Sequence, residues 1–277
     1  MMSEKIIGFC NLAVIPIRAE SSHRAELVSQ LLFGEVYQIV EMEGEWCKIK
    51  TLFDNYEGYI ETKQIVLMHQ SAYAKYYIDN DSLVVVDSPT MVLDKRRDCS
   101  FLIPQGSFLP LNALNEHIVH LGTEHFEIPK ISTWTYYKDI ASEICMQIDS
   151  NLFCALENYA YSFLNAPYLW GGRTIFGIDC SGFVQVVFKM CGIFLPRDAS
   201  QQQKCGKTIT LGNAQKGDLA FFANENGKIV HVGLILEQGK IIHASGKVRI
   251  DNIDEKGIFC IERNEYSHTL HSIKRIV

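Results

Sequence analysis

The chain has 277 residues, 26 Lys and Arg against 32 Asp and Glu, and a formal net charge of −6, with 47% hydrophobic and 21% charged residues. That length exceeds one average core and implies about two or three domains, while the composition is that of a soluble globular protein. The acidic balance, without any Lys/Arg cluster, excludes a nucleic-acid partner and gives no help in holding an anionic polymer such as intact cell wall.

The first eleven residues, Met1 to Asn11, hold a short apolar stretch broken by Asn11. They lack a basic head, a sustained apolar core and a small-residue cleavage site. No segment approaches the roughly 20 apolar residues that a membrane span needs. The nine cysteines are odd in number and contain no CxxC pair. They read as free thiols of a reducing compartment rather than a disulfide framework. The expectation is a cytoplasmic monomer with no membrane partner, or an exported protein if a leader precedes this sequence.

Residues 1–68 alternate in a β manner. Glu35 to Val40 and Trp46 to Lys50 are strands divided by the turn Glu43-Gly44-Glu45, and Asp54 to Gly58 is a second turn before Tyr59-Ile60. Short strands at this spacing suggest a small barrel. The pattern recurs at an offset of about 72 residues, where Leu31-Leu32-Phe33-Gly34 is echoed by Ile103-Pro104-Gln105-Gly106 and Gly44-Glu45-Trp46 by Asn115-Glu116-His117. Ser82 to Val86 adds a strand. A second barrel with its connector is therefore expected over 69–145, with residues 131–150 read as connector and helix start.

From about residue 151 the period changes. Leu152, Phe153, Leu156, Tyr159, Ala160, Phe163 and Leu164 recur at helical spacing, and Asn165-Ala166-Pro167 ends the helix. Gly171, Gly172 and Gly177 punctuate the loop before Cys180. Phe183, Val184, Val187, Phe188 and Cys191 form one face of the next helix, which Gly192 stops. Strands follow at Asp218 to Phe222, Ile229 to Leu236, Lys240 to Ala244 and Gly257 to Ile261. Helices first and an antiparallel sheet afterwards make 146–277 an α+β domain.

Cys180 opens a helix, and His231 and His243 sit on nearby strands. Only a thiolate attacks well. The partial positive charge of a helix N-terminus and a nearby imidazolium both favour that form. His231 is the candidate base and proton donor, and His243 the candidate orienter of its ring. Their separation of 12 positions keeps one face of a single strand, but a hairpin intervenes, so parity alone leaves their meeting open. Packed core residues are the competing assignment for each taken singly. Zinc is the chemical rival, and it lacks a second cysteine at close spacing. Neither a metal nor a cofactor is expected.

Tyr168-Leu169-Trp170-Gly171-Gly172, Asp179-Cys180-Ser181-Gly182-Phe183, Gly217-Asp218-Leu219, His231-Val232-Gly233 and Ile242-His243-Ala244 resemble the NlpC family of papain-like cell-wall peptidases over about 150–277. The resemblance implies a Cys180-His231-His243 triad. It also implies hydrolysis of the bond between γ-D-glutamate and a diamino acid such as diaminopimelate in peptidoglycan peptides. Tyr168 would lie by the oxyanion, Asp179 would bind the substrate's amine or adjoining backbone, and Ser181 and Ser200 would line the pocket. A core aromatic, a helix N-cap and a turn serine are the plainer assignments for Tyr168, Asp179 and Ser200.

The N-terminal half resembles bacterial SH3-like barrels. Two barrels followed by the peptidase are similar to the γ-D-glutamyl-L-diamino acid endopeptidases of muropeptide recycling, in which the first barrel recognises a free N-terminal L-Ala. Glu26 would pair with that ammonium and Tyr56 would wall its pocket, with Glu20 a competing partner. A desolvated ammonium needs an acidic or carbonyl partner. Three further functions compete: a secreted hydrolase of intact wall, with the barrels as wall-binding modules; a non-catalytic binding protein; and an acyltransferase on the same scaffold.

Overall fold

Period-two burial builds the N-terminal half. In the computed structural model, which describes residues 6–73, 82–85, 89–110, 114–115, 118–121, 124–128, 134–137 and 150–277, the chain divides into two compact units, Met1–Ile140 and Ala141–Val277. The first unit opens with β1 (Ile7–Phe9), β2 (Val14–Arg18), β3 (Leu27–Leu32), β4 (Val36–Glu43), β5 (Trp46–Thr51), β6 (Glu57–Glu61) and β7 (Val66–Met68). They pair antiparallel in the order β3-β2-β6-β5-β4-β1-β7. Alternate residues of β2 and β5 turn inward, so Ile15, Ile17, Cys47 and Ile49 close a core with Leu31, Tyr37 and Ile60. Gly44, at φ +58, makes the β4–β5 turn.

After a short helix α1 (Gln70–Tyr73) come β8 (Ser82–Val85), β9 (Thr90–Asp94), β10 (Cys99–Ile103), β11 (Phe108–Pro110), β12 (Leu114–Asn115), β13 (Ile118–Leu121), β14 (Glu124–Glu127) and β15 (Trp134–Tyr137). They form the sheets β10-β9-β14-β13-β12 and β11-β8-β15. Trp134–Tyr137, read from sequence as connector, is instead a strand that pairs along β8. Its aromatic and β-branched residues suit a strand. The stretch expected as a second barrel shares a core with the first sheet, through Phe9, Phe33 and Met68 against Val92, Ile103, Leu109 and Phe126. The Phe108 N–H donates to the Phe33 carbonyl at 2.8 Å. Gly34, at φ +77, lets the chains approach there, since a Cβ would collide with the Phe108 carbonyl. Of the echoed segment 115–117, residues 116 and 117 lie outside the described residues.

The second unit begins with α2 (Ser150–Ser162), which ends before Asn165 at φ +66, and the small hairpin β16 (Arg173–Thr174) and β17 (Gly177–Ile178). Next are α3 (Cys180–Met190) and α4 (Ala199–Gln202). The sheet follows as β18 (Lys207–Ile209), β19 (Leu219–Ala223), β20 (Ile229–Ile235), β21 (Lys240–Ser245), β22 (Lys247–Ile253), β23 (Gly257–Cys260) and β24 (Glu265–Arg275). Its order is β18-β24-β19-β20-β21-β22-β23, and β24 also pairs with β23, so the strands from β19 to β24 close into a ring. Closure removes the free edge that β23 would otherwise carry. Inside lie Ala220, Phe222, Ile235, Ile241, Ile253, Ile258 and Ile273. Helix α3 packs against β20 and β21. Every residue of α3 is buried, including Gln185 and Lys189. The apolar run after Cys180 is thus a helix covered on all sides.

Candidate active site

Two diagonal steps across this sheet assemble the site. Side chains at i and i+2 share a strand face, so His231 continues the inward row of Ile235, His243 that of Ile241, and Asp251 that of Ile253. In the register, His243 stands opposite Gly233, and Asp251 opposite Ile241. His231 is therefore the diagonal neighbour of His243, and His243 that of Asp251, within reach of long side chains. Gly233 leaves the space: a Cβ there would lie 2.9 Å from the Cβ of His243.

The result is a buried polar line at one end of an otherwise apolar interior. His231 Nε2 lies 2.8 Å from His243 Nδ1, and His243 Nε2 lies 3.1 Å from Asp251 Oδ2. Arg249 donates to the same carboxylate from Nε at 2.7 Å and Nη2 at 3.1 Å, and the Ile261 N–H adds a bond to Oδ1 at 3.0 Å. Burial raises the Asp251 carboxyl's proton affinity, but the bonds from His243, Arg249 and Ile261 outweigh it and hold the group below the usual carboxylate range. The His268 ring stacks on that of His231. Asp251, Arg249 and His268 carry no signal in the motifs read from sequence.

Cys180 stands at the first position of α3, capped by Asp179, whose Oδ1 accepts from the Gly182 N–H at 2.7 Å. The Val232 N–H, one residue beyond His231, and the Ser181 N–H both bond the sulfur. Burial pushes the Cys180 thiol up to about 12, the Asp179 charge pushes the same way, and those two bonds only partly oppose them. Burial, with the rings of His268 and His243, drives His231 well below 6.5. Both shifts run against the thiolate–imidazolium pair that the helix start suggested, because the site desolvates both charges.

Tyr168 is half-buried on the strap that precedes the hairpin. Burial raises its phenol first, and Cys180 and Asp179 raise it further, so its hydroxyl stays protonated beside the sulfur. The strap is positioned by main-chain bonds from the Tyr168 N–H to Gly246, at 3.0 Å, and from the Ile178 N–H to Pro167, at 3.0 Å. Gly182 permits its approach to α3, since a Cβ there would meet the Gly172 carbonyl.

The expectation that Asp179 receives the substrate's amine meets a different arrangement. Its Oδ1 accepts from Gly182, Ser181 Oγ (3.3 Å) and Arg197 Nη1 (3.0 Å); its Oδ2 accepts from the Gly171 N–H (2.8 Å) and Arg197 Nη2 (2.5 Å). Asp179 and Arg197 are both buried. With its lone pairs so filled, the carboxylate is a clasp between the strap and α3 and has no acceptor left for an ammonium. Ser181 belongs to the same clasp, its hydroxyl accepting from Arg197 Nη1 at 2.9 Å. Ser200 is exposed on α4, whose buried Gln202 donates to the Ser181 carbonyl at 3.0 Å. In the first unit, Glu26 is exposed just before β3, and Tyr56 is half-buried with its N–H on Thr51 Oγ1 at 2.8 Å. Among the described residues, no group of three or more His, Cys, Asp or Glu side chains is arranged to hold a metal ion.

Comparison with known proteins places this geometry. Residues 165–259 match the NlpC/P60 family, and residues 17–65 match the bacterial dipeptidyl-peptidase SH3 domain. The γ-D-glutamyl-L-lysine dipeptidyl-peptidase of Bacillus subtilis is 30% identical over 230 residues, covering 78% of this chain and 71% of that one. Dipeptidyl-peptidase 6 of Lysinibacillus sphaericus is 29% identical over 259 residues, covering 86% and 88%. The crystal structure of an NlpC/P60 family protein from Bacillus cereus superposes with a TM-score of 0.80 at 21% identity, covering 98% of this chain and 99% of that one, which establishes the shared fold. With an SH3-like β region before a papain-like α+β domain, this chain belongs to the NlpC/P60 family of cysteine peptidases.

Proposed function

We propose that the protein is a cysteine endopeptidase that hydrolyses the bond between γ-D-glutamate and a diamino acid such as diaminopimelate, in murein peptides with a free N-terminal L-Ala, and that it serves cell-wall peptide recycling in the cytoplasm. The observation that carries the reading is the 2.8 Å contact of His243 with His231, which sits on the strand whose Val232 N–H meets the Cys180 sulfur. Two named γ-D-glutamyl-L-lysine dipeptidyl-peptidases among the relatives support the bond assigned.

Both shifts at the site favour a neutral thiol and a neutral imidazole at rest. His231 then acts as a general base: it takes the thiol proton while the sulfur attacks the γ-carbonyl carbon. The oxyanion is met by the Cys180 N–H, unpaired within the helix at its first turn, and by the Tyr168 hydroxyl. As the tetrahedral adduct collapses, the C–N bond breaks and the His231 imidazolium gives its proton to the departing amine. Water, deprotonated by His231, attacks the thioester, and the thiolate leaves and recovers that proton. Glu26, with Tyr56, is the proposed partner of the substrate's ammonium, and Ser200 the proposed substrate contact of the peptidase domain. Asp179 acts by positioning rather than by binding.

The test incubates the purified protein with L-Ala-γ-D-Glu-diaminopimelate, its N-acetylated form and intact sacculi, followed by mass spectrometry. Expected are release of diaminopimelate from the free tripeptide, a much slower reaction of the acetylated one, and intact sacculi. Hydrolysis by Cys180→Ala would sink the mechanism. Equal rates on both tripeptides would remove the free-amine requirement, and solubilised sacculi would make the protein a wall hydrolase.

A further inference from the structure

The geometry points to Asp251 as a positioning residue that fixes the direction of both protons in the His231–His243 pair. The inference deepens the proposed mechanism and rests on His231 being its base. Arg249 has donors and no acceptor. Arg249 fills one lone pair on each oxygen of Asp251, and the Ile261 N–H fills another on Oδ1. The remaining contact is His243 Nε2 at 3.1 Å. An ionised carboxylate only accepts, so His243 Nε2 must carry a hydrogen.

A neutral His243 with its proton on Nε2 presents Nδ1 as an acceptor. His231 Nε2, 2.8 Å away, must then donate. A neutral His231 with its proton on Nε2 leaves a lone pair on Nδ1, the nitrogen able to take the thiol's proton. Turn the line around, and His243 donates from Nδ1 to His231 Nε2. His231 then holds its proton on Nδ1 and is useless as a base at that nitrogen. Two neutral imidazoles in contact do not choose between these states by themselves; a carboxylate tied to a guanidinium does. His268 does not compete for the line, because it meets His231 by its ring face and its Nδ1 bonds Ser267 Oγ at 2.8 Å.

The tautomers are read directly. Histidine-labelled protein at about pH 7.5, observed by long-range proton–nitrogen correlation, is expected to show both His243 and His231 protonated at Nε2 alone. A His243 protonated at Nδ1, or doubly protonated, overturns the assignment. This readout uses no substrate, so it stands or falls separately from the peptidase reading, which Cys180→Ala tests. In Asp251→Asn, an amide that can donate releases the constraint; a drop in kcat of roughly 100-fold is expected, with KM within about twofold, as befits a wrong tautomer. A folded Asp251→Asn protein with unchanged kcat overturns the inference. If that variant does not fold, the spectrum of the unaltered protein decides.

Discussion

The imidazole of His268 lies nearly flat on that of His231, with ring centroids 4.1 Å apart and planes inclined by 22°. Rings this close cannot both carry charge without strong repulsion. Burial first, then His243 and Arg263, lower His268 to about 4 from its ordinary 6.5. In the unfolded chain it takes a proton near 6.5, and in the folded one it resists until about 4. Between those values the unfolded state binds more protons, so stability is complete above 6.5 and falls as pH drops toward 4. His231 shifts in the same direction and adds to the loss. Thermal unfolding from pH 7 to 4.5 should show a falling Tm, with a shallower slope in His268→Gln. An identical slope in that variant would show that His268 is not held neutral by the fold.

Arg197 and Asp179 form a buried pair with two parallel bonds. Removing one partner strands the other charge away from water, which costs about 3–5 kcal/mol. Arg197→Met is therefore expected to lose that much in urea unfolding. It should also lose activity, because the clasp sets the strap against the Cys180 end of α3. Arg197→Lys should recover little, since one ammonium cannot reproduce the planar fork. A loss below about 1 kcal/mol in Arg197→Met would make the pair no better than a surface bridge.

Much of this site was legible because chemistry and fold coincide at the same residues. Cys180 opens α3 as its glycine-rich approach implied, and the strands bearing His231 and His243 lie where alternation put them. Whether the two rings meet was not legible, since it depends on the β20–β21 register, a tertiary property that places His243 opposite Gly233. Asp251 was hidden for a related reason. It occupies an inward position of β22 and so interrupts the apolar alternation by which a strand is recognised. His268 sits on β24, whose sequence Glu-Tyr-Ser-His-Thr-Leu-His-Ser-Ile-Lys-Arg has no apolar period; closure of the ring gives that strand partners on both sides. Asp179 was visible in its motif, but its pairing with Arg197 spans 18 positions and needed the fold to reveal it.

The protonation of Cys180 separates two ways of running the chemistry. A preformed thiolate–imidazolium pair reacts with alkylating agents at a nearly constant rate from about pH 6 upward, because its sulfur is already ionised. Here burial pushes the thiol up to about 12 and drives His231 well below 6.5. The free enzyme should thus hold a thiol at neutral pH, and its thiolate fraction should rise about tenfold for each pH unit up to 9. Inactivation by iodoacetamide, timed between pH 6 and 9, is the measurement, with labelling at Cys180 verified by mass spectrometry. Cys99 and Cys154, both exposed, serve as internal references, and they should label faster than Cys180 at pH 7. A flat profile, or Cys180 labelling ahead of both at pH 6, would mean that the ion pair forms before substrate arrives. His231 would then be an acid from the outset, and the general-base step would have to be discarded.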